Sequence, residues 1–383
     1  MKEIISEGVL DREQRDILPN MSLIGNRNIT SDLEKEKTTK IFAKKSEEIK
    51  LLKKLNSKMK NNIQILKNLS SKTILSNEEE KELDKIVIKI KELLENDQIP
   101  PVLNENKCKG EALDANDATS CIHSLNIRTY HGDYSDCKDA DLIIITAGPS
   151  IKPGEKADRL ILSKTNCKIM SSVMSEITKY TKDALILMIT NPLDVATYHV
   201  STQFDYPREK IIGTGTMLET FRLRRIIADR YHIDPKNIHG YVLGEHGNSA
   251  FAAWSTVNVA GLGLEHVDEY FHFDDKLDKK AIEQALVNRA YDIINLKGYT
   301  NTGIAMVAAR FTKSFMYNEH TILPMSAVLE GEYGLSDVAL SIPRMICADG
   351  IVRSFAPHLP KEELDLLYAS AESVKKAIAS AKE

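Results

Sequence analysis

The stretch GYVLGEHGNSAFAAWS, residues 240–255, sets His246 between Glu245 and Gly247, with Gly244 just before. Glycines on both sides let backbone and ligand approach closely and expose the imidazole; a lone histidine is more often structural, but this flanking, with the next motifs added, points to a functional one. A second stretch, GTGTMLETFRLRR at 213–225, follows the strand-like EKII and opens a helix. Glu219 and Arg222 lie three apart there, so they share one helix face. On their own they read as a surface ion pair. A third stretch, KPGEKADR at 152–159, is polar and contains Gly and Pro, as expected of a mobile lid. Arg159 at its end, taken alone, reads as a solvated surface arginine.

The elements that must position these residues are strands and helices in alternation. LIIIT (142–146) is a short apolar, β-branched run ending in Ala147-Gly148. ALILMIT (184–190) is another, ending in Asn191-Pro192. Both read as buried parallel strands that stop at turn residues. LILSKTNCKIMSSVMSEITKY between them reads as the crossover helix. In such βαβ units ligands sit at the carboxyl ends of the strands, which puts Gly148 and Asn191 at the ligand edge.

Upstream the chain has another character. Of 18 glycines only Gly8 and Gly25 precede residue 104, and all five cysteines follow it. Residues 31–97 are rich in Lys, Glu, Leu, Ile and Asn. Leu52, Leu55, Met59, Ile63 and Leu66 form one helical stripe, and Leu83, Ile86, Val87, Ile90 and Leu94 a second. Capping boxes begin at Ser31 and Ser76, and Pro100-Pro101 stops the second stripe. The expectation is a helical hairpin with a solvated, mixed-charge face, suited at most to docking a partner. KIVIKI (85–90) read as a strand is the rival, and no glycine loop follows it.

Composition excludes several classes. A net charge of −4 gives no field to attract nucleic acid or an anionic membrane. No run of 18 apolar residues occurs, and MKEIISEGVL lacks a signal-peptide pattern. An odd number of cysteines without C-x-x-C argues against disulfides or zinc and fits a reducing cytoplasm.

Together NENKCKGEALD (104–114), GDYSDCKDADLIIITAG (132–148), ITNPLDV (189–195), GTGTMLETFRLR (213–224), GEHGNSAFAAWS (244–255) and KGYTNTGIA (297–305) resemble the L-lactate dehydrogenase family, in its bacterial branch, and the related L-2-hydroxyisocaproate dehydrogenases of the lactate/malate dehydrogenase superfamily. The resemblance runs from about residue 104 to the C-terminus. It implies a cytoplasmic oxidoreductase of glycolysis and fermentation. The reaction is hydride transfer between NADH and a 2-oxo acid, either pyruvate or one with a longer apolar side chain. His246 is then the proton donor and acceptor at the substrate's C2 oxygen. Glu219 takes the place of a family Asp that orients this histidine. The extra methylene matters, because about 1 Å of misplacement can cost roughly 100-fold in rate. Arg222 clamps the substrate carboxylate with bidentate geometry. Arg159 polarises the carbonyl when the lid closes. Asn191 bonds near the same oxygen, and Thr300 lines the side-chain pocket. Thr146, Ala147, Gly148, Thr190 and Asn191 border NAD. The lid is about two residues longer than usual, as in the hydroxyisocaproate enzymes. It places Ile151 where a cation would select malate. Arg224 and His239 fall at the family's fructose-1,6-bisphosphate ligands, facing a twofold interface. The implied assembly is a homo-oligomer, a dimer or tetramer, with no metal, nucleic acid or membrane partner.

One part of the family pattern is missing. No G-x-G occurs before residue 213, and Val102 takes the place of the acid that binds the adenosine ribose. The expected fold is therefore α/β: a Rossmann-like parallel sheet lacking its first βαβ unit, plus an α+β substrate domain, with an N-terminal helical hairpin. The expected divisions are 1–103, 104–212 and 213–383. Without strand 1 the LIIIT strand is left with an unpaired edge. The alternative is a fusion or truncated dehydrogenase that is catalytically impaired and acts as a helical interaction module. The missing glycine turn predicts a large loss of NADH affinity relative to an intact relative. Calorimetry with the full chain checks this, and a dissociation constant in the low micromolar range overturns it.

Overall fold

The computed structural model describes residues 105–120, 127–148 and 159–382. The helical hairpin, the KIVIKI run, Val102 and Ile151 lie outside them. The described residues fall into two units, one ending at His131 and the other beginning at Gly132. In the first, helix α1 (Glu105–Ala118) is held to the following segment by Thr129. Its hydroxyl donates to the Ala112 carbonyl at 2.7 Å and its amide to Asn116 Oδ1 at 3.3 Å.

The second unit is built on a six-stranded sheet. Strands β1 (Leu142–Ile145), β2 (Leu185–Met188) and β3 (Ile211–Gly213) are parallel, with Ile143 opposite Ile186 and Leu187 opposite Ile212. The crossover between β1 and β2 is α2 (Arg159–Ile177), and α3 (Leu193–Gln203) leads from β2 towards β3. LILM of β2 is buried on both faces. Ile186 and Met188 pack with Met170, Met174 and Ile177 of α2. Leu185 and Leu187 point the other way, to Met217, Phe311 and Phe315. An unbroken apolar run is what a doubly covered parallel strand requires. Among the described residues β1 is the sheet's edge, with Ile144 43% exposed.

The sheet continues past β3 through an antiparallel neighbour. Gly213 lies opposite Ser326 of β7 (Thr321–Glu330), which pairs with β8 (Ser336–Cys347) and then β9 (Gly350–Ser354). Between β3 and β7 come α4 (Met217–Tyr231) and a small antiparallel sheet. That sheet comprises β4 (Ile238–Leu243), β5 (Phe251–Val259) and β6 (Leu262–Gly263). After it follow α5 (Leu264–Tyr270), α6 (Lys279–Lys297) and α7 (Thr302–Met316). Helix α6 starts on Asp278, whose side chain accepts from the Ala281 amide, and ends on Gly298 at φ 90°. The C-terminal helix α8 (Lys361–Lys382) covers β8 through Leu367, Ala371 and Val374.

The β7–β8 hairpin is fastened by Arg344, which is only 1% exposed. Its guanidinium donates to the main-chain carbonyls of Met325 at 2.7 Å, Leu340 at 3.1 Å and Ala327 at 3.2 Å, and to Ser354 Oγ at 3.1 Å. Burial pushes its pKa down to about 10, against the pull of Glu332 and Glu330. Replacing Arg344 by Met would strip these carbonyls of a donor, at a cost of about 3 kcal/mol. The expected outcome is a thermal midpoint lower by roughly 5–10 °C, read by calorimetry.

Candidate active site

Three elements bring the chemistry-bearing residues together. The cluster centres on His246, in the link between β4 and β5. Its Nδ1 lies 3.2 Å from Glu219 Oε2 on the first turn of α4. Glu219 Oε1 accepts from Arg222 Nη1 at 3.4 Å. The Arg222 and Glu219 side chains are only 12% and 13% exposed, so this is a sequestered pair and not the surface pair that spacing alone suggests. The longer glutamate still reaches the imidazole.

The electrostatics follow from that burial. For His246, burial favours the neutral ring, but the charge and hydrogen bond of Glu219, with a further contribution from Asp194, overcome it and raise the pKa to about 9. Glu219 is subject to the opposite balance. Burial pushes its carboxyl up, while His246 and Arg222 hold it below the usual carboxylate range. At neutral pH the imidazole is therefore protonated beside an anion.

The peptide carrying His246 is fixed at consecutive amides by three different elements. Gly244 and Ser341 of β8 exchange main-chain hydrogen bonds at 3.1 and 2.9 Å. The Glu245 amide donates to Ser370 Oγ of α8 at 2.7 Å. The His246 amide donates to Asp194 Oδ2 of α3 at 2.7 Å. Gly244 is at φ 90°, and a Cβ there would sit 2.6 Å from Ser370 Oγ, so glycine is required for this seating. Ser341 also anchors the other half of the pair, since its Oγ accepts from the Thr216 amide at the start of α4 at 3.1 Å.

The strand ends form the second part of the site. Gly148 and Asn191 follow β1 and β2 as the βαβ pattern predicts. Thr190 is buried and its hydroxyl is already committed to the Ala147 carbonyl at 2.7 Å, so it shapes this edge instead of offering a free donor. Thr146 is exposed at the end of β1. The Asn191 carbonyl accepts from Asn166 Nδ2 at 2.5 Å, and Asn191-Pro192 is a cis peptide. Asn166 is 1% exposed, and its Oδ1 has no hydrogen-bond partner among the described residues. A Cβ on Gly148 would lie 2.7 Å from that oxygen. A buried, unsatisfied acceptor beside a glycine held at φ 146° makes a cradle for a flat ring bearing an amide donor, which fits the nicotinamide end of NAD. For the pyrophosphate end the sequence supplies no glycine turn.

The remaining expected residues are more dispersed. Arg159 opens α2, and its side chain lies outside what is described. Thr300 is exposed in the link between α6 and α7. The start of α7 reaches α4, since a Cβ on Gly303 would lie 2.9 Å from Leu218 Cδ1 beside Glu219. Arg224 is half-buried, with Nη2 donating to the Gly240 carbonyl at 3.2 Å and Nε buried without a partner among the described residues. His239, the residue before Gly240, is exposed. Asn166, Asp194, Ser326, Ser341 and Ser370 are not legible as site residues from the sequence. The one available signal was that Asp194 sits inside the ITNPLDV motif. No group of metal-ligand residues and no helix long and apolar enough to cross a membrane occurs among the described residues.

This geometry has counterparts. Residues 87–213 match the family model for the lactate/malate dehydrogenase NAD-binding domain, and residues 216–383 match that for its alpha/beta C-terminal domain. The match thus takes in residues 87–103, which the apolar spacing assigns to the hairpin. The chain is 67% identical over 276 residues to an L-lactate dehydrogenase of Selenomonas ruminantium, covering 72% of this chain and 87% of that protein. It is 50% identical to L-lactate dehydrogenase 2 of Clostridium acetobutylicum, covering 72% and 86% of the two chains. Among solved structures, the minor L-lactate dehydrogenase of Enterococcus mundtii aligns with a TM-score of 0.68 at 34% identity, over 73% of this chain and 88% of that one. The malate dehydrogenase of Aeropyrum pernix aligns with a TM-score of 0.65 at 29% identity, over 72% and 87%. The chain belongs to the lactate/malate dehydrogenase family. It is an NAD-dependent oxidoreductase of the lactate dehydrogenase type, and the interaction-module alternative is not favoured.

Because His246 is raised from 6.5 to about 9, its pairing with Glu219 contributes fully to stability below about pH 6.5. That contribution is lost as pH rises towards 9. Glu219→Gln should lower the His246 titration by more than about one pH unit, followed by NMR of the imidazole, because it removes the adjacent charge.

Proposed function

We propose that the chain reduces a 2-oxo acid, pyruvate or one with a longer apolar side chain, to the L-2-hydroxy acid. The observation that carries this reading is the sequestered His246–Glu219–Arg222 cluster. NADH, when bound, supplies the hydride. The chain's own residues supply the rest. Nδ1 of His246 faces Glu219, so Nε2 is the atom left to give a proton to the C2 oxygen as that oxygen gains charge. Glu219 stabilises the imidazolium before transfer and fixes its tautomer afterwards. Arg222, only partly engaged by Glu219, retains donors for the substrate carboxylate. Arg159 at the start of α2 polarises the carbonyl, and Asn191 bonds the same oxygen. Thr300 borders the substrate side chain, and the apolar character of Ile151 disfavours a second carboxylate. Thr146, Ala147, Gly148, Thr190 and Asn191 border the cofactor, with Asn166 behind them.

The same reading extends to regulation and assembly. Arg224 and His239 flank Gly240 and offer a guanidinium and an imidazole to a bisphosphate such as fructose-1,6-bisphosphate. The working form is a homo-oligomer in the cytoplasm, divided into an incomplete dinucleotide-binding domain at 104–212 and a substrate domain at 213–383.

The test is NADH oxidation by the purified chain with pyruvate or 2-oxoisocaproate, at saturating NADH and with fructose-1,6-bisphosphate present. Turnover with one of them, lost in His246→Ala, is expected. No turnover with either sinks the proposal.

A further inference from the structure

Asp194 is a charged side chain that the chemistry above does not use. It stands in the first turn of α3, just after the strand-end Asn191-Pro192, and is 2% exposed. Both carboxylate oxygens are engaged across long stretches of sequence. Oδ2 accepts from the His246 amide at 2.7 Å, and Oδ1 accepts from Ser326 Oγ at 2.5 Å. Ser326 is the residue of β7 that lies opposite Gly213, where the parallel half of the sheet meets the antiparallel half. One carboxylate thus ties the Asn191 strand end, the sheet junction and the histidine peptide.

A buried carboxylate is expensive to keep, and two neutral hydrogen bonds could be made by an amide at lower cost. The charge therefore calls for a partner, and the cation facing it is His246. The charged groups facing His246 are Glu219 and Arg222 from α4 and Asp194 from α3; those facing Asp194 are His246 and Glu245. We propose that Asp194 is a positioning residue for proton transfer, setting the place of His246 relative to Asn191 through the backbone amide and acting as a second anion beside the imidazolium. The proposal rests on the reading of His246 as the proton donor.

The two duties can be separated chemically. In Asp194→Asn the amide oxygen can still accept from the His246 amide, and the NH₂ can donate to the Ser326 hydroxyl, which accepts as readily as it donates. The tether is kept and the charge is lost. In Asp194→Ala both are lost. Burial raises the Asp194 pKa to about 6, so at neutral pH it is an anion and in mild acid it is not. Ser326→Ala removes a hydrogen bond that favours the anion and should move that transition to higher pH.

The experiment is an NMR titration of the His246 imidazole in the full-length wild type and the three variants, with pyruvate and 2-oxoisocaproate kinetics alongside. Asp194→Asn should move the His246 titration down by about one pH unit, because a facing charge is gone. Its kcat should begin to fall about one pH unit lower than in wild type as pH rises, because His246 loses its proton earlier. Asp194→Ala should lower kcat by about 10- to 100-fold with little change in KM, the mark of a displaced catalytic group. In Ser326→Ala the acid-side change in the His246 signal should shift to higher pH. A folded Asp194→Asn with an unmoved His246 titration overturns the charge role. Should that variant not fold, an unmoved acid-side transition in Ser326→Ala overturns it instead. An Asp194→Ala enzyme with wild-type kcat overturns the tether. If the wild type shows no turnover while the titrations shift as expected, the reading of His246 as proton donor fails and the electrostatic link stands.

Discussion

The structure depends on a histidine that must be charged in a place where charge is costly. The His246 side chain is only 22% exposed, and burial there disfavours the imidazolium. Glu219 offsets this from one side at 3.2 Å, and Asp194 adds a second anion from the backbone side. Neither acid is free to move. Glu219 belongs to a helix whose N-cap residue, Thr216, has its amide tied to Ser341, and Asp194 is tied to Ser326. Because β7 and β8 are neighbours, both ties end on one hairpin. The hairpin is therefore a ruler that sets the distance between His246 and its supports. Its own rigidity comes from dense ladder pairing and from Arg344 buried against its carbonyls.

This arrangement explains why glycine and serine recur around the site. Gly244 and Gly148 admit close approach by a hydroxyl and by an amide oxygen respectively. Ser341, Ser370 and Ser326 satisfy main-chain amides or a carboxylate in places too tight for a larger polar group. Each is a small group buried with its hydrogen bonds made, which is the only low-cost way to place polarity inside a core. Glutamate at 219 is accommodated within this frame, because the side chain pairs with His246 and Arg222 together.

The cofactor site proposed above has unequal support at its two ends. Asn166, Gly148 and Asn191 form a built cradle at the ends of β1 and β2. The glycine turn that would hold the diphosphate has no counterpart in this sequence. Membership of the family rests on residues from 87 onward, and so does the chemistry.

Much of the site was legible from the sequence. Apolar runs ending in Ala-Gly and Asn-Pro gave strands β1 and β2 nearly to the residue, but only β2 is buried on both faces, while β1 lies at an edge with Ile144 exposed. His246, Glu219, Arg222 and Asn191 stood out because flanking glycines, helical spacing and strand ends are local features. What local features could not give was the state of those residues. Spacing alone made Glu219 and Arg222 a surface pair, and only packing against the rest of the fold sequestered them. Asp194, Ser326, Ser341 and Ser370 lie 52 to 132 residues from the groups they hold, a separation that carries no periodic signal. The sequence by itself determined which chemistry the chain carries. The tertiary structure decided the protonation and placement of the histidine, since both depend on charges and amides brought together only when distant segments fold against one sheet.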